Sequence, residues 1–482
     1  MKKIILFSFI IFGSVSCKKE LDEVPKSFIS PDNFYKTEKD AEGAIAGVYA
    51  GIMSDNYIML DLLHSDYCTS LGSWVSVGNT DKVMDATQSD RAGSIWNQYY
   101  STINRANVVL NRVPKIQGMN EANRTRILAE AYFVRAMLYF QLVQCFGALP
   151  LRTTELESLQ NIAAPRASID DVYKLILSDL AIAEADLPTS VGAQTQRASK
   201  WAAKMLLANV YLDRQKWSDA AVKAGEVINS GQFTLIKVSK ETDFYKIFAV
   251  ETSSEDIMSQ HFSITVSTAS LNSFHGAGTP YNKGTVFGFT NVPNMKSFLG
   301  NGTWDDNDLR KSFNLYSSYI DANGNTVSIA NTQQPVRFKK FIKDPNGYPT
   351  YSRPIFRFTE AFLVYAEAAA MANGGPTPLA LERLNMIKRR AYGYSDLNSA
   401  TPVDYQAGLS QAQFRDIVLK ERAYEFVLET RRWWDLKRTN TIKQAYAAIG
   451  KTYIDARLLF PIPKTEIDNN PQLTQKDQNP GY

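Results

Sequence analysis

Residues 197–231 read RASKWAAKMLLANVYLDRQKWSDAAVKAGEVINSG, and their spacing decides the fold class. Apolar periodicity predicts two helices joined by a short turn near Gln215. Leu207, Ala208 and Tyr211 line the first helix; Ala220, Ala224 and Val227 line the second. Those offsets match the tetratricopeptide helix pair of about 34 residues, where small side chains let two helices approach closely. A second pair is predicted in FRFTEAFLVYAEAAAMANGG (356–375) and PTPLALERLNMIKRRAYG (376–393). Gly374 and Gly375 end its first helix, and Pro376 or Pro378 begins its second.

Outward from these pairs, helices are predicted in SIWNQYYSTINRANVVLNRV (94–113) and NRTRILAEAYFVRAMLYFQLVQCFG (123–147). A long helical run is predicted in FRDIVLKERAYEFVLETRRWWDLKRT (414–439). Nearer the start, Ser30 or Asp32 can cap a helix carrying Ala41, Ile45, Val48 and Ile52 at helical spacing. The fold class expected is mainly α, a tetratricopeptide-like, α-solenoid-like scaffold of helix pairs. Residues 56–90 and 232–355 interrupt it with Gly, Asn, Ser and Thr. Asn-Gly turn signals in DANGNTV (321–327) and KDPNGYPT (343–350) predict a few short β-hairpins there. Long irregular segments in a compact protein usually carry function.

The chain begins with Lys2 and Lys3, an apolar run Ile4–Phe12, then SVSCKKELDE around Cys17. A run of nine residues, eight of them apolar, is too short to span a bilayer, which takes roughly 20, so residues 1–16 read as an export signal. A cysteine directly after small residues suggests lipidation of Cys17 as a bacterial lipoprotein; ordinary secretion is the plainer alternative. Ser14 makes the cleavage motif a relaxed one. Residues 17–32, with Pro25 and Pro31, form a tether, followed by a helical region 33–231, a loop-rich insertion 232–355 and a helical region with a terminal strap at 356–482. The formal charge is +4, of which Lys2 and Lys3 leave with the signal. Acids and bases are interspersed, so there is no electrostatic case for a nucleic-acid partner.

Enzyme classes find little support. His64, His261 and His275 are far apart, and no His-Glu-x-x-His pair, complete Gly-x-x-x-x-Gly-Lys-Ser/Thr phosphate loop or Gly-x-Ser-x-Gly elbow occurs. The acids at 305–308 lack the glycine and terminal glutamate of a calcium loop. No metal, cofactor or catalytic residue is expected. Cys145 reads as a buried thiol, and a Cys68–Cys145 bridge stays open. The charged stripe Glu421, Arg422, Glu425, Glu429, Arg432 and Asp435 reads as a packing network, with Glu429–Arg432 and Arg432–Asp435 pairs along one helix. Trp96 reads as core.

Several stretches, taken in order, resemble the SusD/RagB family of outer-membrane lipoproteins. They are Cys17 followed by ELDEVP, AEAYFVRAMLYFQLVQCFGALPL, FRFTEAFLVYAEAAA, ERAYEFVLETRRWWDLKR and LLFPIPKTEIDNNPQLTQKDQNPGY, and together they cover almost the whole chain. The resemblance implies a core of four tetratricopeptide-like units and a ligand face made of loops. It further implies a lipid anchor at Cys17, a place on the outer membrane facing the exterior, and a SusC-like TonB-dependent transporter as partner, for which the protein is the lid. The implied ligand is a glycan; some members bind oligopeptides instead, which is the alternative here. Lys18 and Lys19 precede Glu20, Asp22 and Glu23, a departure from an acidic export signal.

Binding residues are expected in the loops. Sugars need flat apolar faces beside planar hydrogen-bonding groups. The segment SDYCTSLGSWVSVGNTDK offers Asp66, Tyr67, Trp74 and Asn79; Trp74 is either a stacking platform or a plug of a local core. Further candidates are His275, Tyr281 and Asn282, and then Trp304, Asp306 and Arg310. An aromatic content of 12% leaves enough rings for such a surface.

Overall fold

The computed structural model describes residues 34–70, 74–156, 163–248, 252–262, 291–321, 323–341 and 351–482. Cys17, the export signal and tether, His275, Tyr281, Asn282 and the KDPNGYPT turn lie outside the described residues.

Helices dominate. Among the described residues they are, in chain order, α1 (Glu38–Tyr49), α2 (Asp55–Leu63), α3 (Ala86–Arg112), α4 (Glu121–Phe146), α5 (Ile169–Asp186), α6 (Lys200–Asp213), α7 (Trp217–Ile228), α8 (Tyr245–Phe248) and α9 (Leu309–Asn314). The C-terminal part adds α10 (Phe358–Ala372), α11 (Pro378–Ala391), α12 (Gln411–Glu425), α13 (Arg432–Arg438), α14 (Ile442–Ala448) and α15 (Lys464–Asn469). Each of α3 to α6 packs on the helix that follows it; α7 then packs on α10, which also carries α11 and α12. The second pair thus continues the array begun by the first. One cluster of buried apolar side chains runs from Ala41 to Ile462.

The α6–α7 pair forms as its spacing predicts. Ala208, Ala220, Ala224 and Val227 are fully buried, and Gln215 turns the chain in the left-handed region at φ 56°. Gly374, at φ 72°, follows α10, and Thr377 caps α11 with Pro378 in the first turn. α1 starts later than expected. Its cap is Thr37, whose hydroxyl accepts from the Asp40 amide while the Asp40 carboxylate accepts from the Thr37 amide. α3 starts earlier, at Ala86, because Asp85 caps it from within a polar stretch. Trp96 is core, and Cys68 and Cys145 are both free buried thiols, so no bridge joins them.

The run 414–439 is not one helix. It breaks between α12 and α13, where Leu428 and Thr430 adopt φ 62° and 54°. Such angles are unfavourable for a β-branched residue and hold only where the surroundings impose them. Here buried ion pairs impose them, and they differ from the pairs expected along the stripe. Glu425 accepts from Arg357 (2.7 Å) and Arg390 (2.6 Å), and Glu429 from Arg357 (2.8 Å) and Lys340 (2.6 Å). Arg432 turns away to Asp66, while Asp435 takes Arg422 and Arg438. The network reading of the stripe holds; its pairs run between segments because the break points successive side chains outward from one helix to several neighbours.

The strands among the described residues form two-stranded antiparallel sheets. β1 (Cys68–Ser70) pairs with β5 (Asn291–Pro293), and β4 (Asp256–Phe262) with β10 (Tyr351–Arg357). β2 (Leu149–Pro150) pairs with β3 (Arg166–Ala167), and β6 (Leu315–Tyr316) with β9 (Arg337–Phe338). The DANGNTV hairpin forms between β7 (Ser318–Ile320) and β8 (Thr326–Ser328), with Asp321 accepting from the Asn323 and Asn325 amides and Gly324 at φ 82°. The C-terminal strap is sewn to the end of α4 by amides: Asn479 donates to the Phe146 and Phe460 carbonyls, and the Phe460 N–H to the Cys145 carbonyl.

Candidate functional site

Pairing of β1 with β5 joins the first long loop to the middle of the insertion. The register is Cys68 with Pro293, Thr69 with Val292 and Ser70 with Asn291, and the Asn294 N–H donates to the Tyr67 carbonyl at 2.8 Å. The following turn closes tightly at Gly300, where a Cβ would stand 2.6 Å from the Met295 Cα. Two loops that are distant in sequence therefore share one face.

Several expected site residues meet beneath that face, as its floor. Tyr67 is 1% exposed; its hydroxyl donates to the Ala423 carbonyl (2.6 Å) and its ring meets Phe298 edge-on. Phe298 contacts Trp304 and Tyr424, which stack on each other at 4.5 Å and 11°. Trp304 is also 1% exposed and donates its indole N–H to Asp308 at 2.9 Å. Arg310 is buried between Asp308, Glu421 and Glu425. Asp66 is buried in a two-pronged pair with Arg432, both contacts 2.8 Å. Tyr67, Trp304, Arg310 and Asp66, expected to be displayed on the loops, are thus buried in the scaffold instead. The reason is local: Asp308 caps the short α9 and draws both the Trp304 indole and the Arg310 guanidinium inward. Asp306 stays exposed and pairs with Lys311.

Trp74 and Asn79 bracket a single 3-10 turn, Val75–Gly78. The turn is held from below: Arg457, fully buried, donates to the Val77 (3.1 Å) and Asn79 (2.7 Å) carbonyls, and Gln88 donates to the Ser76 carbonyl at 2.6 Å. The Ile454 N–H donates to the Thr80 carbonyl at 3.0 Å. Asn79 presents its side chain to solvent, and Val75 is 49% exposed. Trp74 itself is half-buried at the edge of the main core, with the Arg91 guanidinium carbon 3.7 Å from its ring centroid. It is neither a bare platform nor a sealed plug: one face is engaged by a cation, and the loop that carries it is fixed.

Arg91 and Arg457 were not legible as site-building residues. Arg91 lies on the polar side of α3, and Arg457 lies 378 positions from the loop it clamps. The described histidines serve packing. His64 is buried against Trp433, which pushes its pKa well below the usual value through desolvation and the nearby Arg457 charge. His261 lies between the Thr195 and Ser352 hydroxyls. Among the described residues no group of three or more His, Cys, Asp or Glu side chains is placed to hold a metal ion, and no helix is long and apolar enough to cross a membrane.

Comparison with known proteins accounts for this arrangement. A family model described as "Starch-binding associating with outer membrane" matches residues 21–212, and the SusD family model matches residues 299–482. The chain belongs to the SusD family. SusD-like protein P2 of Formosa agariphila is 28% identical over the full length of both chains. Among solved structures, a laminarin-binding SusD-like protein superposes with a TM-score of 0.72 at 24% identity, covering 93% of this chain and 100% of that one. Surface glycan-binding protein A from Bacteroides fluxus gives 0.71 at 22% identity, with the same coverage. The SusD fold is therefore shared along almost the whole chain. The ion network around Glu425 and the strap at Phe460 both fall inside the second matched region.

Proposed function

We propose that this chain is a non-catalytic, surface-exposed glycan-binding lipoprotein that hands oligo- or polysaccharide to a SusC-like TonB-dependent transporter and acts as its lid. The observation that carries the reading is the match of residues 21–212 to a starch-binding, outer-membrane-associating family, joined to a rigid loop face bearing Trp74. An indole and an exposed Asn79 amide carried at the two ends of one held turn supply the two things a pyranose needs, an apolar face for its C–H groups and a planar hydrogen-bonding group. A shallow site of this kind binds on the order of micromolar to millimolar. That is enough when the transporter lies beneath and the ligand is long. Cys17, acylated more than once, would keep the protein on the membrane while the body swings, since a single chain anchors only marginally.

The test is a binding screen of residues 18–482 against neutral polysaccharides and mixed oligopeptides, with palmitate labelling of the full chain and its Cys17→Ala variant. Polysaccharide binding with labelling lost in the variant is expected. Capture of peptides alone would replace the glycan reading by the oligopeptide one, and labelling that persists in the variant would remove the anchor.

A further inference from the structure

A second groove lies away from the loop face, on the helical side. It runs between α3, α4 and the extended segment 150–156, encloses about 960 Å³ and is bordered at one end by Glu466. That volume is at the upper end of the roughly 300–1,000 Å³ typical of ligand sites.

Its lining divides into two sets. One set builds the walls. Asn107 donates to the Arg152 and Thr154 carbonyls, Asn111 to the Glu155 carboxylate, Tyr100 to the Pro150 carbonyl, and Asn104 accepts from the Leu156 N–H. Arg135, locked on Asp179 at 2.7 Å through both prongs, supports Asn107 from behind. These bonds hold an extended strand of chain against a helix and leave a fixed trough between them.

The other set faces the trough uncommitted. Among the described residues, the side chains of Asn97, Ser101, Tyr132, Thr153 and Thr154, and the Asn104 amide nitrogen, make no hydrogen bond within the protein. Asn97, Ser101, Asn104 and Asn111 recur at four, three and seven residues, which places them in one stripe along α3. From Asn97 to Asn111 the stripe is about 20 Å long at a helical rise of roughly 1.5 Å per residue. Among the described residues the charges at the trough are matched: Glu155 is bonded to Arg112, and Arg152 stands 3.8 Å from Glu466. No lysine lines it among the described residues. A long, electrically balanced trough with rows of neutral donors and acceptors and a tyrosine ring at its side fits a neutral polyol chain. It does not suit a phosphate, an acidic sugar or an apolar helix.

We propose that this groove is a second saccharide site, which takes a stretch of neutral glycan along α3 independently of Trp74. The inference rests on the glycan reading above, and the experiment separates the two. Isothermal titration with neutral α-glucan, β-glucan and mannan heptasaccharides would compare the wild type, Trp74→Ala, Ser101→Trp and the double variant. Ser101 is exposed and makes no internal bond, so an indole there fills the trough without removing a wall. The triple alanine variant of Asn97, Ser101 and Thr154 gives the same test without added bulk.

The expected result is two saccharides per wild-type chain, one for each single variant and none for the double variant, with the triple alanine variant behaving like Ser101→Trp. One saccharide per chain, lost with Trp74→Ala and unaffected by Ser101→Trp or the triple variant, would overturn the groove and leave the proposed function standing. No binding of any neutral saccharide by the wild type would overturn both.

Discussion

Arg91 sits over the indole of Trp74, with its guanidinium carbon 3.7 Å from the ring centroid. A cation at that distance gains about 0.5–2 kcal/mol from the ring, depending on its hydration. It fixes the indole's orientation and covers one of its faces. A sugar that stacks on the ring from that side displaces the guanidinium.

The two residues therefore separate in a titration. Trp74→Ala removes the apolar surface and is expected to weaken glycan binding at this site by about tenfold or more, a loss of at least ~1.4 kcal/mol. Arg91→Ala frees the covered face and loosens the ring, two opposed effects, so its affinity is expected to stay within about threefold of wild type. Calorimetry on both variants checks this. A larger loss for Arg91→Ala than for Trp74→Ala would mean that the guanidinium, not the ring, meets the ligand.

Trp304 and Arg310 are expected to act on stability alone. Truncating a buried Trp costs about 3–5 kcal/mol. Arg310→Ala would leave Asp308 and Glu421 without their shared partner in the interior, also about 3–5 kcal/mol. Urea denaturation should show both losses, while glycan affinity per folded molecule stays at the wild-type value. An affinity change without a stability change would return these residues to the site.

Acid should unfold the protein by way of the same network. Glu425, Glu429 and Asp435 are pushed up by burial, but the surrounding Arg and Lys charges outweigh this and hold all three below their ordinary values. A carboxylate depressed in the folded state adds stability above its unfolded pKa, and that stability is lost as pH falls through the folded value. Stability should therefore fall progressively below about pH 4.5. Asp256 works in the opposite sense: burial raises its pKa to about 6, so its charge lowers stability as pH rises from about 4 to 6. A Glu425→Gln variant should be less stable at pH 7 and show a flatter acid limb in thermal melts from pH 3 to 7; an unchanged limb would exclude this network as the acid-sensitive element.

The two internal thiols should be unreactive. Burial pushes Cys68 up to about 12 and Cys145 higher still, leaving almost no thiolate near neutrality. A thiol-colour reagent added to residues 18–482 should find neither cysteine in the native state and both after denaturation. Finding none in denaturant would mean that they are bridged.

The scaffold was legible where local spacing sets the packing. Ala208, Ala220 and Ala224 announce close-packed helices whatever surrounds them, and Gly374 with Pro378 marks a helix boundary by backbone geometry alone. The break after Glu425 was not legible, because Leu428 and Thr430 carry no turn signature and are held left-handed by partners elsewhere in the chain. The same cause buries several of the candidate residues that were expected on the surface. A polar, glycine-rich composition predicts exposure for Asp66, Trp304 and Arg310, yet each is buried by a partner that composition does not reveal; Asp66 meets Arg432 across 366 positions. The groove on α3 left a trace in the sequence, amides at 97, 104, 107 and 111, but a polar stripe on a helix reads equally as a solvated face.

The most direct test of the central claim is titration of residues 18–482 with the polysaccharide that binds best in the screen, in the wild type and in Trp74→Ala and Trp74→Phe. The account predicts a loss of about tenfold or more for the alanine variant, with partial retention by phenylalanine, which keeps a flat ring. Equal affinities in all three proteins would contradict it and move the capture of glycan away from this loop.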